Sequence, residues 1–383
     1  MNTKKNFGTL DKLKQAANTL CNSEVQEWKQ QGGKVVGYFY SFIPEEIITA
    51  SSLLPFRLRA TGSTGTELSD ARLSQINCSF VRHCLNSALQ GDMDFIDGVV
   101  AFNQCDQVHR LYEHWVAKVK TPFAYYLNVP RKRGESQNEF YRKELLQFKK
   151  KLEEHFNVVI TDEKLRDAIK LHNETRCLQR GLYNLKKKKN PPLTGAETLA
   201  IMVAGTAMPK ERYNRLLKEL LEEIGDSEGR NTPTARLMLI GAENDNPELV
   251  EAIESLGGLI VTDALSFGTR AMWNDVVETG DPLSALVGYY LEERPACPRI
   301  FGTGSERYAF LEKTATDFDV DGIISVRRPF CDMWGFEQVT ISKFLKKEHL
   351  PHLKLETEYV LSSVGQIKTR VQAFLETIKE VQS

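Results

Sequence analysis

Three cysteines carry the chemistry this sequence offers. Cys331, in "DGIISVRRPFCDMWGFE", follows an apolar run and precedes an amphipathic one. Cys105, in "IDGVVAFNQCDQVHRLYEHW", has the same surroundings, including the aspartate that comes next. Cys78 opens the helix-like "NCSFVRHCL". A residue between a strand and the following helix stands at the carboxyl edge of an open α/β sheet, where such folds place their sites. The positive end of the helix also favours a thiolate there. Thiolates hold iron–sulfur clusters, usually four per cluster. Three would leave one iron open to water, hydroxide or substrate, as a reactive cluster requires. One cluster held by Cys78, Cys105 and Cys331 is therefore expected. The competing reading is three small buried hydrophobes.

The other candidates read as structural. Cys84, on the far side of the Cys78 helix, suits core packing, and Cys21 and Cys177 lie in helical segments. Cys297, in "RPACPRIFG", precedes a run that reads as a short strand, "RIFGTG", which would put it at the opposite edge of the sheet. His83, His109 and His114 crowd the Cys78–Cys105 region, but no paired motif such as HExxH supports zinc. "GTGSER" at 302–307 lacks a Walker lysine and a full GxGxxG, so no ATP site is expected.

These thiols need a scaffold of strands and helices. Residues 8–30 read as a helix ended by Gly32-Gly33. "KVVGYFY" (34–40), "PFRLRAT" (55–61), "DGVVAF" (97–102) and "PFAYYLNV" (122–129) read as strands, separated by helices that begin at Pro44, Cys78 and about 108. That alternation predicts a parallel sheet. From about 136 to 225 nearly all periods are helical, with one short strand, "VVI", at 158–160. Strands resume with "ARLMLIGAE", "LIVTDAL", "GIISVRRP" and "HLKLETE". The fold class expected is α/β, with two doubly wound, Rossmann-like parallel-sheet lobes joined by a helical connector. The expected domains are an N-terminal helix plus first lobe (1–135), a helical connector (136–230) and a second lobe (231–383). The passages "DGVVAFNQCD" and "DGIISVRRPFCD" are a weak internal repeat and suggest related lobes facing one cleft.

Composition narrows the function classes. The 383 residues are 41% hydrophobic and 26% charged, with a net charge of −1, so no basic excess argues for nucleic acid or an anionic membrane. The basic runs at 131–133 and 186–189 read as solvated surface. No apolar stretch approaches the ~18 residues that span a bilayer. The charged N-terminus lacks a secretory core, and a cytoplasmic protein is expected. Its seven cysteines are then not disulfides.

Taken together, "GYFYSFIPEEIITASSLLPFRL" (37–58), "CSFVRHCLNSALQG" (78–91), "GVVAFNQCDQVHRLYEHW" (98–115), "RRPFCDMWGFE" (327–337) and "GQIKTRVQAFLE" (365–376) resemble the 2-hydroxyacyl-CoA dehydratase and benzoyl-CoA reductase family. The motifs are loose singly and specific in combination, and they cover nearly the whole chain in order. The resemblance implies a [4Fe–4S] cluster on Cys78, Cys105 and Cys331 and a related, usually non-identical second subunit. It also implies a separate ATP-hydrolysing iron–sulfur activase that supplies single low-potential electrons, and an acyl-CoA substrate reduced to a radical anion. By the same resemblance Ser41, at the end of the first strand, lies near the open iron, and Glu46 handles protons. Helix capping and first-turn charge are the structural alternatives for those two. In wording, the stretch from Cys78 to Trp115 is nearer to aryl-CoA reductase subunits of aromatic degradation than to dehydratases. Water loss from a 2-hydroxyacyl-CoA is the alternative, and a metal-free two-lobed α/β binding protein or sugar-nucleotide transferase the reading from another class.

Overall fold

The computed structural model describes residues 7–227, 229 and 233–382. Two four-stranded parallel sheets form its centre. The first contains β1 (Val35–Tyr38), β2 (Leu54–Arg57), β3 (Gly98–Phe102) and β4 (Phe123–Leu127) in the order β2-β1-β3-β4. The second contains β5 (Ala235–Gly241), β6 (Gly258–Ala264), β7 (Gly322–Arg327) and β8 (His352–Glu356) in the order β6-β5-β7-β8. The two orders are the same permutation, so the lobes are topological repeats. The central strands of each sheet are buried along almost their whole length, as expected when helices cover both faces. In each lobe the strand order reverses between the first and third strands, and that switch point is where a crevice opens.

Between the lobes run four helices, Glu135–Phe156, Asp162–Leu185, Gly195–Ala204 and Lys210–Ile224. The third starts with a capping box: the Thr194 side chain accepts from the Glu197 N–H, and Glu197 reaches back to the Thr194 N–H. The connector boundary expected at 230/231 lies outside the described residues. The first helix, Gly8–Asn18, packs against the connector and shares a hydrophobic core with β5 and β7. Although it comes first in the chain, it rests on the second lobe's side.

Several local expectations need correcting. Residues 8–30 form two helices, not one. Asn22 interrupts them because its side chain accepts from the N–H groups of Glu24 and Val25 and starts a new helix, Ser23–Gln30. The run at 158–160 has no regular secondary structure and pairs with no strand. "RIFGTG" is a series of turns leading into the helix Gly304–Asp317, preceded by a short π-helix, Tyr289–Glu293. Lys186 is not solvated. It is buried and donates to the Leu193 carbonyl at 2.7 Å, and burial pushes its pKa down to about 8.

A candidate active site between the lobes

Each of the three cysteines is the residue that immediately precedes a helix. Cys78 precedes Ser79–Gln90, Cys105 precedes Asp106–Lys118 and Cys331 precedes Asp332–Lys347. Cys105 follows β3 and Cys331 follows β7, which are equivalent strands of the two lobes. All three line a single cavity at the carboxyl ends of both sheets. Tyr40 and Ser41, just beyond β1, and Gly241, Ala242 and Glu243, at the end of β5, complete the switch-point walls. Tyr40 and Phe330, each one residue before a site residue, have positive φ (58° and 60°). Non-glycine residues rarely adopt that conformation, and where they do the surroundings must hold them there.

One side chain ties the three cysteine loops together. Gln107 stands two residues into the Cys105 helix. Its Oε1 accepts from the Cys78 backbone N–H at 3.0 Å, and its Nε2 donates to the Phe330 carbonyl beside Cys331 at 3.4 Å.

The cavity's electrostatics suit an anionic occupant. Burial pushes the thiols of Cys78, Cys105 and Cys331 upward, Cys331 to about 12. Backbone N–H groups at the helix starts act the other way, as does the Arg328 guanidinium on Cys78. Arg328 is 2% exposed and forms no ion pair within 4 Å among the described residues, although the Asp245 charge acts on it. It donates to Thr357 Oγ1 and the Glu358 carbonyl, both at 2.7 Å, while its Nε has no partner. Arg270, 7% exposed and also on the cavity wall, likewise has a partnerless Nε. Buried guanidinium groups without counter-charge are costly, and a cluster held by three thiolates is net anionic. The donor set and these orphaned atoms therefore fit an iron–sulfur cluster. Among the described residues no three His, Cys, Asp or Glu groups converge closely enough for a single metal ion. The three thiols share one cavity wall instead.

The remaining sequence candidates divide. Ser41 lies on the cavity wall. Glu46 is fully buried and is not part of that wall. It forms an ion pair with Arg176 and accepts from Tyr290 Oη at 2.9 Å. Burial alone would raise its pKa, but the Arg176 and His172 charges outweigh this and hold it below the ordinary value. Cys84 is wholly enclosed in core, as expected. Cys297, expected at the far edge, lines the same cavity as the three thiols, 4.0 Å from Gln104 Nε2. The strand that argued for its exclusion is absent. Tyr40, Gln104, Gln107, Glu243, Ser266, Arg270 and Arg328 were not singled out from sequence. Only Gln104, Gln107 and Arg328 had a local signal, lying one, two and three residues from a candidate cysteine.

Comparison with known proteins agrees with this arrangement. Residues 40–378 match the family described as 2-hydroxyglutaryl-CoA dehydratase, D-component. The chain belongs to that family. It is 27% identical to a benzoyl-CoA reductase subunit of Thauera aromatica, over 92% of this chain and 94% of that protein. The (R)-phenyllactyl-CoA dehydratase beta subunit of Clostridium sporogenes is 24% identical, and the beta subunit of (R)-2-hydroxyglutaryl-CoA dehydratase of Acidaminococcus fermentans 23%, each with the same coverage. Both a reductase and dehydratases therefore stand among its relatives. No helix among the described residues is long and apolar enough to cross a membrane.

Proposed function

We propose that this chain is the iron–sulfur subunit of a cytoplasmic, oxygen-sensitive acyl-CoA enzyme, with Cys78, Cys105 and Cys331 holding a [4Fe–4S] cluster. The observation that carries this is the convergence of three thiols at helix starts, from two lobes, on one cavity, beside buried guanidinium groups whose Nε atoms have no partner. When bound, the cluster supplies single electrons at low potential. This chain's residues do the rest. Gln107 fixes the cysteine loops relative to one another. Ser41, on the shared wall, orients the substrate oxygen. Apolar Phe80, Met333 and Trp334 keep water from the reacting end. Glu46, held in its ion pair, positions Arg176 and Tyr290 rather than exchanging protons during turnover.

Of the two reactions in the family, we propose water removal from a 2-hydroxyacyl-CoA. The polar groups Ser41, Gln104, Ser266 and Arg270 on the cavity wall offer hydrogen bonds to a hydroxyl-bearing acyl chain that a benzene ring would not use. Reduction of an aryl-CoA is the second reading, supported by the aromatic wall of Tyr40, Phe80 and Trp334. A related second subunit and an ATP-hydrolysing activase belong to both. The apolar side chains left exposed around Cys331, Phe330 at 49% and Phe336 at 79%, suit a protein partner. The test is turnover by the oxygen-free complex with its activase. Water loss with ATP consumed far below the product formed supports the first reaction. ATP consumed in step with ring reduction supports the second, and activity unaltered by Cys331→Ala overturns both.

A further inference from the structure

The cavity that holds Cys78, Cys105 and Cys331 holds a further thiol. Cys297 is 5% exposed and lines the same wall. Cys21, Cys84 and Cys177 do not. The Cys297 charge is among those that push the Cys331 thiol up, so the two sulfurs lie within electrostatic reach of each other.

The segment that carries Cys297 is fastened to the loop that carries Cys105. Gln104, one residue before Cys105, donates from Nε2 to the Cys297 sulfur at 4.0 Å, while its own Oε1 is buried without a partner. Arg299, also buried, donates to the Asn103 carbonyl at 3.2 Å, to Asn103 Oδ1 at 2.8 Å and to the Pro130 carbonyl at 2.6 Å. The Phe301 N–H donates to the Arg131 carbonyl at 2.8 Å. Pro295 and Pro298 flank the cysteine, and their rings fix φ on either side of it. The thiol is thus held in place rather than carried on a loose turn. Gln107, on the same Cys105 loop, already reaches the Cys78 and Cys331 segments. The Cys105 loop therefore touches every other segment that brings a thiol to this cavity.

Iron–sulfur clusters are usually held by four thiolates. A cluster with three leaves its last iron to whatever ligand the cavity offers. Soft sulfur donors suit such clusters better than water does, and binding to a metal removes the thiol proton outright. A cysteine serving only as a small hydrophobe needs neither an amide on its sulfur nor a place on the cavity wall.

We propose that Cys297 is the fourth protein ligand of the cluster, so that no iron of this chain is open to water or substrate. This rests on the cluster proposed above. Substrate would then be held by Ser41 and its polar neighbours alone, and electrons would leave the cluster without a bond between iron and substrate.

The test is ferricyanide titration of the oxygen-free, iron-loaded chain, followed by low-temperature electron-spin resonance. A cluster with one iron not held by the protein sheds that iron under mild oxidation and leaves a three-iron cluster with its own signal. The unaltered chain should give little of that signal. Cys297→Ala should assemble the cluster on the remaining thiols and give several-fold more. Cys297→Ser, whose oxygen can still bind iron, should fall between the two. A three-iron signal equal in the unaltered chain and in Cys297→Ala overturns the proposal and leaves the cluster on Cys78, Cys105 and Cys331 standing. Iron absent from the unaltered chain removes the cluster, and this proposal with it. Should Cys297→Ala take up no iron, the unaltered chain decides alone. Cyanide, which binds an iron lacking a protein ligand, should leave its spectrum unchanged, and a changed spectrum overturns the proposal.

Discussion

At the scale of single residues, the thiols were legible and their supports were not. A cysteine after an apolar run and before an amphipathic one announces its place in the fold, and Cys105 and Cys331 stand where that pattern puts them. Gln107 is an ordinary polar residue in sequence. Its role exists only because three loops from two lobes meet around it. Gln107→Leu should leave the chain folded and loosen that meeting point. We expect iron to be lost to a chelator several-fold faster than from the unaltered protein, with a broadened electron-spin resonance signal; unchanged kinetics would remove Gln107 from the site. Two other groups set the response to acid. His172 is held neutral, its pKa pushed down from 6.5 to about 4, mainly by burial. Glu45 is partly buried; desolvation raises its pKa, but the Lys210 and His172 charges overcome this and hold it at about 2 against an ordinary 4.5. A group with a lowered folded pKa stabilises the fold above its unfolded value and ceases to do so as the pH falls through the folded one. Stability should therefore decline in two stages, from pH 6.5 toward 4 and from 4.5 toward 2. Denaturant titrations across pH should show His172→Asn flattening the upper stage and Lys210→Met the lower. A single unaltered transition in both variants would contradict this assignment.

At the scale of elements, regular periodicity was readable and irregular backbone was not. All eight observed strands overlap segments that read as strands from the sequence. The misread segments are those where a local hydrogen bond or turn overrides pattern. Asn22 breaks the first helix with its own side chain, and Cys297 was misplaced because the successive turns that follow it look apolar enough for a strand. The close approach of β5 to β7 was equally hidden. Gly241, at the end of β5 on the cavity wall, has φ of 149°, and a Cβ there would collide with the Val326 carbonyl on β7. Gly241→Ala should destabilise the chain by more than about 1 kcal/mol, since it combines an unfavourable backbone angle with a backbone clash. Equilibrium denaturation measures this, and a stability equal to that of the unaltered chain would mean the strands separate freely at the site.

At the scale of the whole molecule, the repeat was visible as two similar passages, while the way the lobes are joined was not. The joint is made by buried polar groups distant in sequence. Arg57, at the end of β2, pairs with Glu243, just beyond β5, and stacks 3.6 Å over the Phe267 ring. Tyr359 Oη donates to Asp245 at 2.7 Å and accepts from the Ala60 N–H at 3.0 Å. No periodicity encodes such pairs, because each partner only looks like an isolated charge in its own strand end. Removing one member of a buried ion pair typically costs about 3–5 kcal/mol. Arg57→Met should fall in that range by chemical denaturation, and Arg57→Met with Glu243→Leu should recover much of the loss. A single-variant cost near zero would mean that the lobes are held together elsewhere.

The cavity between those lobes has its meaning through what three thiols hold. The most direct test is iron and acid-labile sulfide per chain, on protein purified without oxygen. A single cubane on this chain requires about four of each, with near-complete loss in Cys105→Ala and likewise in Cys78→Ala and Cys331→Ala. Iron absent from the unaltered chain, or iron retained in all three variants, would contradict the assignment of Cys78, Cys105 and Cys331 and return the protein to the metal-free α/β class.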